Sequence, residues 1–212
     1  MIDCAFCDEF AEPTAKTWIV GRTADRVVLP TIGCLTEGYL LYMPQEHTLA
    51  FADLEAKALD SCSADIDELR RSLNDRYGPM IVAEHGPREC DLGAGCCDHA
   101  HLHLIPVPDP DLVVKQYVEV GGPRLAFDNL ADCLASVEEA YVYVSPAPDV
   151  HYAWPAVGFP RQWVRRVCAD IHGRPEEWDW RDHPFEAERK QTYDALVGQV
   201  TLASADSSDG DR

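Results

Sequence analysis

The chain has 212 residues and a net charge of −19, which comes from 18 basic and 37 acidic side chains. This acidity disfavours a large surface for nucleic acid or anionic membrane, although it does not exclude a small nucleotide, because a phosphate responds to local donors. No apolar run approaches the roughly 20 residues that cross a bilayer, and the start of the chain lacks a basic, apolar signal segment. Together with nine cysteines, an odd number, these features predict reduced thiols and a cytoplasmic protein.

The first motif along the chain is the CxxC pair formed by Cys4 and Cys7. Such pairs serve as zinc half-sites or as redox centres. A redox pair normally begins a helix that follows a strand, and no strand precedes this one, so a metal half-site is favoured. Structural zinc needs about four ligands. Distant histidines are the obvious further donors, with Cys96 and Cys97 as a competing pair.

Hydrophobic patterning predicts several strands around one long helix. The predicted strands are Thr17–Thr23, Arg26–Ile32, Gly38–Met43, Met80–Glu84, His99–Val107 and Ala140–Ser145. The long helix is predicted from Phe51 to about Tyr77, where Gly78 and Pro79 end it. This pattern indicates an α+β fold with an antiparallel sheet.

Residues 99–105 read HAHLHLI, with a histidine at every second position. In a strand, alternate side chains leave the same face, so the three imidazoles share one face while Ala100, Leu102 and Leu104 pack into the core. Imidazole is a nucleophile, a proton carrier near neutral pH and a metal ligand. A purely structural role is disfavoured because each buried histidine would need its own hydrogen-bond partner.

The CxxC pair, the segment MPQEH at residues 43–47 and the histidine run resemble, in this order, the histidine triad (HIT) superfamily. They are most similar to its zinc-containing members, including the galactose-1-phosphate uridylyltransferase branch. The resemblance covers roughly residues 1–145. It implies an HIT-like catalytic core, an antiparallel sheet with flanking helices. Because members often form dimers, a homodimer is one expectation.

The resemblance also implies a role for each histidine of the run. It implies a structural zinc ion held by Cys4, Cys7, His47 and His99. His101 would be the nucleophile that attacks the α-phosphorus of a nucleotide, and His103 would help to hold the phosphate. Attack requires a lone pair on His101 Nε2, which a hydrogen bond from Nδ1 to a carbonyl or side chain would secure. Four protein ligands leave no open position on zinc, so its role would be structural.

The chain departs from the family just before the triad. Many hydrolytic relatives carry Gly-Gln-Ser-hydrophobic there, and the Gln and Ser side chains contact phosphate, whereas this chain has AGCC at residues 94–97. We therefore expect Gly95 and Cys96 to contact substrate through backbone N–H groups and a weak thiol donor. Uridylyltransferase relatives have glutamine where this chain has His103, so their substrate pair is not carried over.

Residues 146–202 are predicted to form a C-terminal helical extension packed on the core, and residues 203–212 a disordered, Asp- and Ser-rich tail. One helix is predicted to start within Phe159–Val167, with proline in its first turn, and another to span Pro184–Val200. Gln162, Arg165 and Arg166 have two interpretations, contacts to the phosphates of a bound nucleotide or solvated helix positions. We predict Gln162 and Arg165 as substrate contacts.

Two further aromatic side chains have both a functional and a structural interpretation. Trp154 is either a stacking platform for a base or a core residue, and His85 is either a ligand or a plain turn residue. The leading hypothesis is a zinc-stabilised enzyme that cleaves or transfers a nucleoside monophosphate group through a nucleotidyl-histidine. One alternative is a nucleotidyltransferase or phosphorylase with a phosphate or sugar-phosphate acceptor. The other is a nucleotide-binding module without turnover.

Overall fold

The computed structural model describes residues 4–11, 17–87 and 99–202. In these ranges, seven strands form one sheet, and they are β1 Gly21–Arg22, β2 Arg26–Pro30, β3 Leu40–Pro44, β4 Met80–Gly86, β5 Leu102–Pro106, β6 Tyr141–Ala147 and β7 Val150–Pro155. The helices that flank it in the described residues are α1 Ala5–Ala11, α2 Ala56–Tyr77, α3 Pro110–Gly121, α4 Leu130–Ala135, α5 Trp163–Ile171 and α6 Glu186–Leu196. Within the described ranges, no helix combines the length and the apolar composition that crossing a bilayer requires.

The sheet has the strand order β1-β2-β3-β5-β4-β6-β7, and every neighbouring pair is antiparallel. Since β5 pairs with both β3 and β4, those two strands run parallel to each other, joined by the crossover helix α2. This is a split βαβ unit into which β5 is inserted. The predicted α+β fold with an antiparallel sheet is confirmed, and the triad strand lies at its centre.

Strand residues alternate between two separate hydrophobic cores. On β5, Leu102 and Leu104 join the core beneath α2 and α4. Ile105 joins the core on the opposite face, which α3 and α5 cover. His103 points to that second face, between Leu41 of β3 and Ala83 of β4 in the register. The face that carries the histidine is thus covered by α3 and α5.

Several element boundaries differ from the sequence predictions. The strand predicted over Thr17–Thr23 is wrong except at Gly21–Arg22. The strand predicted over His99–Val107 begins only at Leu102, so His99 and His101 precede it. The long helix is preceded by a short 3₁₀ turn at Phe51–Asp53.

The C-terminal part of the chain needs further corrections. Strand β6 continues past residue 145, the predicted end of the core, and β7 pairs with it. The sheet therefore extends into the segment predicted to be a helical extension. Helix α5 begins at Trp163, after Gln162 in a left-handed conformation, and Pro160 is outside its first turn. Helix α6 is shorter than the predicted Pro184–Val200. The predicted disordered tail, residues 203–212, lies outside the described residues.

Gly86 ends β4 beneath a tightly packed tyrosine. A Cβ at this position would lie 2.8 Å from the Tyr141 hydroxyl oxygen and closer still to its ring. The ring cannot easily move, because Tyr141 is 1% exposed and its hydroxyl donates to the Glu84 carboxylate. We therefore expect Gly86→Ala to lower the free energy of unfolding by about 1–3 kcal/mol, measured by urea denaturation.

The expected cause of that loss is the clash between the added Cβ and the Tyr141 ring, and a double-mutant cycle tests it. In a Tyr141→Leu background the clash is absent, so Gly86→Ala should cost much less. An equal cost in both backgrounds would contradict the packing explanation.

Candidate functional site

The four predicted metal ligands come together at one point, although Cys4 and His99 are 95 residues apart. The ligand atoms of Cys4, Cys7, His47 and His99 all lie within 4.8 Å of one another. Cys7 Sγ is 3.4 Å from His47 Nδ1 and 3.6 Å from His99 Nδ1, and Cys4 Sγ is 3.6 Å from the same nitrogen. Tetrahedral Zn–S and Zn–N bonds place sulfur and nitrogen about 3.5 Å apart. The spacing therefore fits a tetrahedrally bound metal ion.

The local structure directs the His99 ring toward this cluster. Its Nε2 lies 2.8 Å from the Pro44 carbonyl oxygen at the end of β3. Because Nε2 must carry the proton to donate that bond, Nδ1 presents its lone pair to the cluster. Phe6 and Phe10 of α1 pack edge-on against the imidazole, with ring centroids 6.0 and 5.6 Å away. Burial lowers the pKa of His99, which favours the neutral ring that a metal requires.

His101 is held in a defined orientation just before β5. Its Nδ1 lies 2.8 Å from the carbonyl oxygen of His99. A carbonyl only accepts, so Nδ1 carries a proton, and in the neutral ring the lone pair is therefore on Nε2. This is the hydrogen bond that nucleophilic attack through Nε2 requires.

His101 is one of three clustered imidazoles. The His101 and His103 ring centroids are 4.7 Å apart, and those of His103 and His85 are 6.2 Å apart. Burial lowers the pKa of His85 to about 3 and lowers the pKa of His103 as well. His85 Nε2 accepts a 3.4 Å hydrogen bond from the backbone N–H of Val164, at the start of α5. His85 thus contacts the triad and is not part of the metal cluster.

A pocket opens beside the triad, with about 550 Å³ of space including its mouth. Its walls come from α1, β2, β3, the triad and the C-terminal segments. The lining residues are Phe6, Glu9, Leu29, Thr31, Ile32, Leu41, His101, His103, Arg165, Trp180 and Arg189.

Arg165, predicted as a phosphate contact, lines this pocket and is 3% exposed. Its Nε and Nη2 donate to the carbonyl oxygens of Trp178 and Gly33, at 2.8 and 2.7 Å. Within the described part of the chain, no carboxylate oxygen lies within the 4.0 Å of a salt bridge to this guanidinium. Asp179 interacts electrostatically with this guanidinium from beyond that distance, so an anionic ligand would supply a direct ionic partner for the buried cation.

Other predicted substrate contacts lie elsewhere. Gln162 is 2% exposed and does not line the pocket. Arg166 stacks on Trp178, with its guanidinium carbon 3.3 Å from the ring centroid. Trp154 is fully buried, and its indole N–H donates to the Gly122 carbonyl, so it is a core residue rather than a stacking platform. Gly95 and Cys96 lie outside the described residues.

Three residues near the triad were missed from the sequence. Trp180 and Arg189 line the pocket, and Tyr39 contacts His103 directly. The repeated tryptophans at 178 and 180 were a weak signal for the first. Arg189 and Tyr39 belong to no sequence motif. Only the tertiary fold brings them close to the triad, so the sequence gives no local signal for either.

No protein-family model matches the chain, and no curated protein matches it. Among solved structures, it is similar to a Streptococcus mutans protein at 25% identity, over 50% of this chain and 66% of that one, with a TM-score of 0.43. A HIT family protein from Bacillus anthracis is 18% identical over 50% of this chain and 73% of its own, with a TM-score of 0.43. A Zn-bound histidine triad family protein from Mycobacterium smegmatis is 18% identical over 49% of this chain and 74% of its own, with a TM-score of 0.40. The chain is thus similar to histidine triad proteins over about half of its length, the family whose sequence motifs it also resembles.

Proposed function

We propose that this chain is a histidine triad enzyme that transfers a nucleoside monophosphate group to water or another acceptor through His101. The observation that carries the proposal is the 2.8 Å hydrogen bond from His101 Nδ1 to the His99 carbonyl. In the neutral ring it leaves the lone pair on Nε2, on a side chain that lines a pocket. A neutral imidazole held in one orientation is the activated form of this nucleophile.

The chemistry would proceed in two displacements at phosphorus. In the first, the Nε2 lone pair of His101 forms a P–N bond, and the P–O bond to the leaving group breaks. The leaving oxygen keeps the electron pair and takes a proton from solvent. In the second, an acceptor oxygen attacks phosphorus and loses its proton to solvent, and the P–N electron pair returns to Nε2. Water as acceptor gives hydrolysis, and phosphate or a sugar phosphate gives transfer.

The pocket wall supports an anionic, partly aromatic ligand. Arg165 and Arg189 supply two guanidinium groups, whereas Glu9 is the one acidic side chain of the lining. The charged side chains of the lining are therefore mainly positive, although the whole chain has a net charge of −19. Phe6 and Trp180 supply aromatic surface on which a base can stack.

We propose zinc as the ion for the Cys4, Cys7, His47 and His99 cluster. Two thiolates and two imidazoles at tetrahedral spacing are the donors that structural zinc prefers. The bound ion would cross-link the start of α1, the segment after β3 and His99, which lies two positions before His101. Because all four positions are taken by protein, the ion would have no direct part in the reaction.

The decisive experiment offers the protein a panel of nucleoside polyphosphates and nucleotide sugars, with and without inorganic phosphate. Samples quenched at early times are digested and analysed by mass spectrometry. A nucleotidyl adduct on His101, with product formation, supports the proposal, and the phosphate arm separates hydrolysis from phosphorolysis. Tight nucleotide binding without adduct or product would favour a binding module instead.

Replacing Arg165 is expected to weaken ligand binding more than replacing its neighbour Arg166. A charge-assisted hydrogen bond to phosphate contributes about 1.5–3 kcal/mol, so Arg165→Met should raise the Kd of a bound nucleoside monophosphate roughly 10- to 150-fold. Calorimetry with the monophosphates of the common bases measures this. Arg166→Met is the matched control, because Arg166 stacks on Trp178 and does not line the pocket.

Arg165 also bonds two backbone carbonyls, so its loss is checked by circular dichroism. Arg189→Gln is a second variant in the same wall, with a less buried side chain. Equal Kd values for Arg165→Met and Arg166→Met, together with an unchanged Kd for Arg189→Gln, would contradict the role of this wall.

A further inference from the structure

His103 has a hydrogen-bond partner that lies outside every sequence motif. The hydroxyl oxygen of Tyr39 is 2.8 Å from His103 Nδ1. Tyr39 lies just before β3 and is fully buried, and His103 is 6% exposed. The contact is therefore sheltered from water, and it fixes one edge of the His103 ring.

The surroundings determine which group donates in this bond. The other groups around His103 are His85, His101 and Arg165, the last with its guanidinium carbon 5.7 Å from the Tyr39 ring centroid. A guanidinium has only donors, so Arg165 cannot accept a hydrogen bond from the Tyr39 hydroxyl. Among the described residues, His103 Nδ1 is the one acceptor hydrogen-bonded to that hydroxyl. If Nδ1 carried the proton instead, a buried O–H group would be left without an acceptor, which is costly.

We propose that Tyr39 is a positioning residue that holds His103 in the tautomer with its proton on Nε2. This inference rests on the proposed function, since it assigns His103 a task in the same pocket. The protonated Nε2 would donate a hydrogen bond to a phosphoryl oxygen of the ligand. It would do so beside His101, whose own Nε2 carries the lone pair.

The two neighbouring imidazoles therefore take opposite tautomers. His101 donates from Nδ1 to a carbonyl, and His103 accepts at Nδ1 from a hydroxyl. Their ring planes meet at 78° with the centroids 4.7 Å apart. One strand end thus presents a nucleophile and a neutral hydrogen-bond donor side by side, although the two side chains are chemically identical.

The test compares Tyr39→Phe with Tyr42→Phe. Tyr42 is a fully buried tyrosine from the same part of the sheet, but its hydroxyl donates to Asp65 on the opposite face. Long-range ¹H–¹⁵N NMR of the ¹⁵N-histidine-labelled protein reports which ring nitrogen of His103 carries the proton. We expect protonation at Nε2 in the wild type and in Tyr42→Phe. In Tyr39→Phe we expect the shifts of the two nitrogens to move toward each other, as both tautomers become populated.

The same two variants are also compared by their steady-state kinetics. With a substrate identified by the nucleotide panel, Tyr39→Phe should lower kcat about 10- to 100-fold, as a misplaced group does, and change KM less. Tyr42→Phe should leave both near the wild-type values. A wild-type His103 protonated at Nδ1, or an unchanged tautomer in Tyr39→Phe, would overturn the proposal. The NMR measurement needs no substrate, so a failure of the proposed enzyme activity is distinguished from a failure of this inference.

Discussion

Replacing His101 with asparagine is expected to lower turnover about a thousandfold or more while the chain still folds. The asparagine amide N–H group can replace Nδ1 as donor to the His99 carbonyl, so the backbone turn keeps its hydrogen bond. Asparagine has no nitrogen lone pair available for attack on phosphorus. The variant should therefore form no nucleotidyl adduct, yet retain binding of a nucleoside monophosphate.

The measurement combines steady-state turnover, adduct detection by mass spectrometry and a thermal melt. His183→Asn is the matched control, because His183 does not line the pocket. It should behave like the wild type in all three assays. Retention of more than a tenth of the activity by His101→Asn, or an adduct on a different histidine in the wild type, would show that the nucleophile is misassigned.

Replacing Cys4 with serine is expected to remove the bound metal and to lower the Tm by roughly 6–20 °C. That range assumes a loss of about 3–5 kcal/mol at 2–4 °C per kcal/mol for a chain of this size. The physical reason lies in α1, which has seven residues. A helix this short is marginal in isolation. Apart from the cluster, it is held by Phe6 and Phe10 against His99 and by hydrogen bonds from Trp18 and Arg22. Because Phe6 and Glu9 also line the pocket, metal loss should raise KM as well.

Metal content measured by plasma mass spectrometry and calorimetric melts test this expectation. Cys62→Ser is the matched control. Cys62 is a buried cysteine of α2 that packs in the core beneath that helix and is not one of the four clustered ligands. It should keep the full metal content, even if its core position lowers the Tm. If metal content survives both Cys4→Ser and His99→Asn, the assignment of the cluster is wrong.

The motifs predicted the metal cluster better than they predicted the elements that carry it. Cys4, Cys7, His47 and His99 come together as expected, because the residue types and their order carry that information. The period of two also placed Leu102 and Leu104 in one core correctly. Yet His99 and His101 precede β5, since their side chains and backbone serve the cluster and the turn rather than the sheet ladder.

Some missed elements had local signals. Helix α3 is capped by Asp109, which lies just before it and accepts a hydrogen bond from the Leu112 N–H, and it has proline in its first turn. Helix α4 is capped by Asn129 in the same manner. These capping residues are readable in the sequence and predict both helices.

Other features had no local signal. Gln162 and Arg165 are three residues apart near the start of α5, yet only Arg165 lines the pocket. Gln162 has a left-handed backbone just before the helix, so the i, i+3 relation of a continuous helix does not apply to this pair. Tyr39 reaches His103 across 64 residues of chain, so its role is a property of the folded sheet.

The place of β5 in the sheet ties the candidate site to the completion of folding. Strand β5 follows β3 and β4 in the chain but lies between them, so in the complete sheet those two strands are about two strand spacings apart, roughly 9–10 Å, and are joined only through β5. A nascent or partly unfolded chain that lacks this insertion has neither the Tyr39–His103 contact nor the hydrogen-bond ladder on either side of His103. A ligand that recognises the assembled triad therefore binds only the complete sheet, and its binding energy adds to the stability of that state alone.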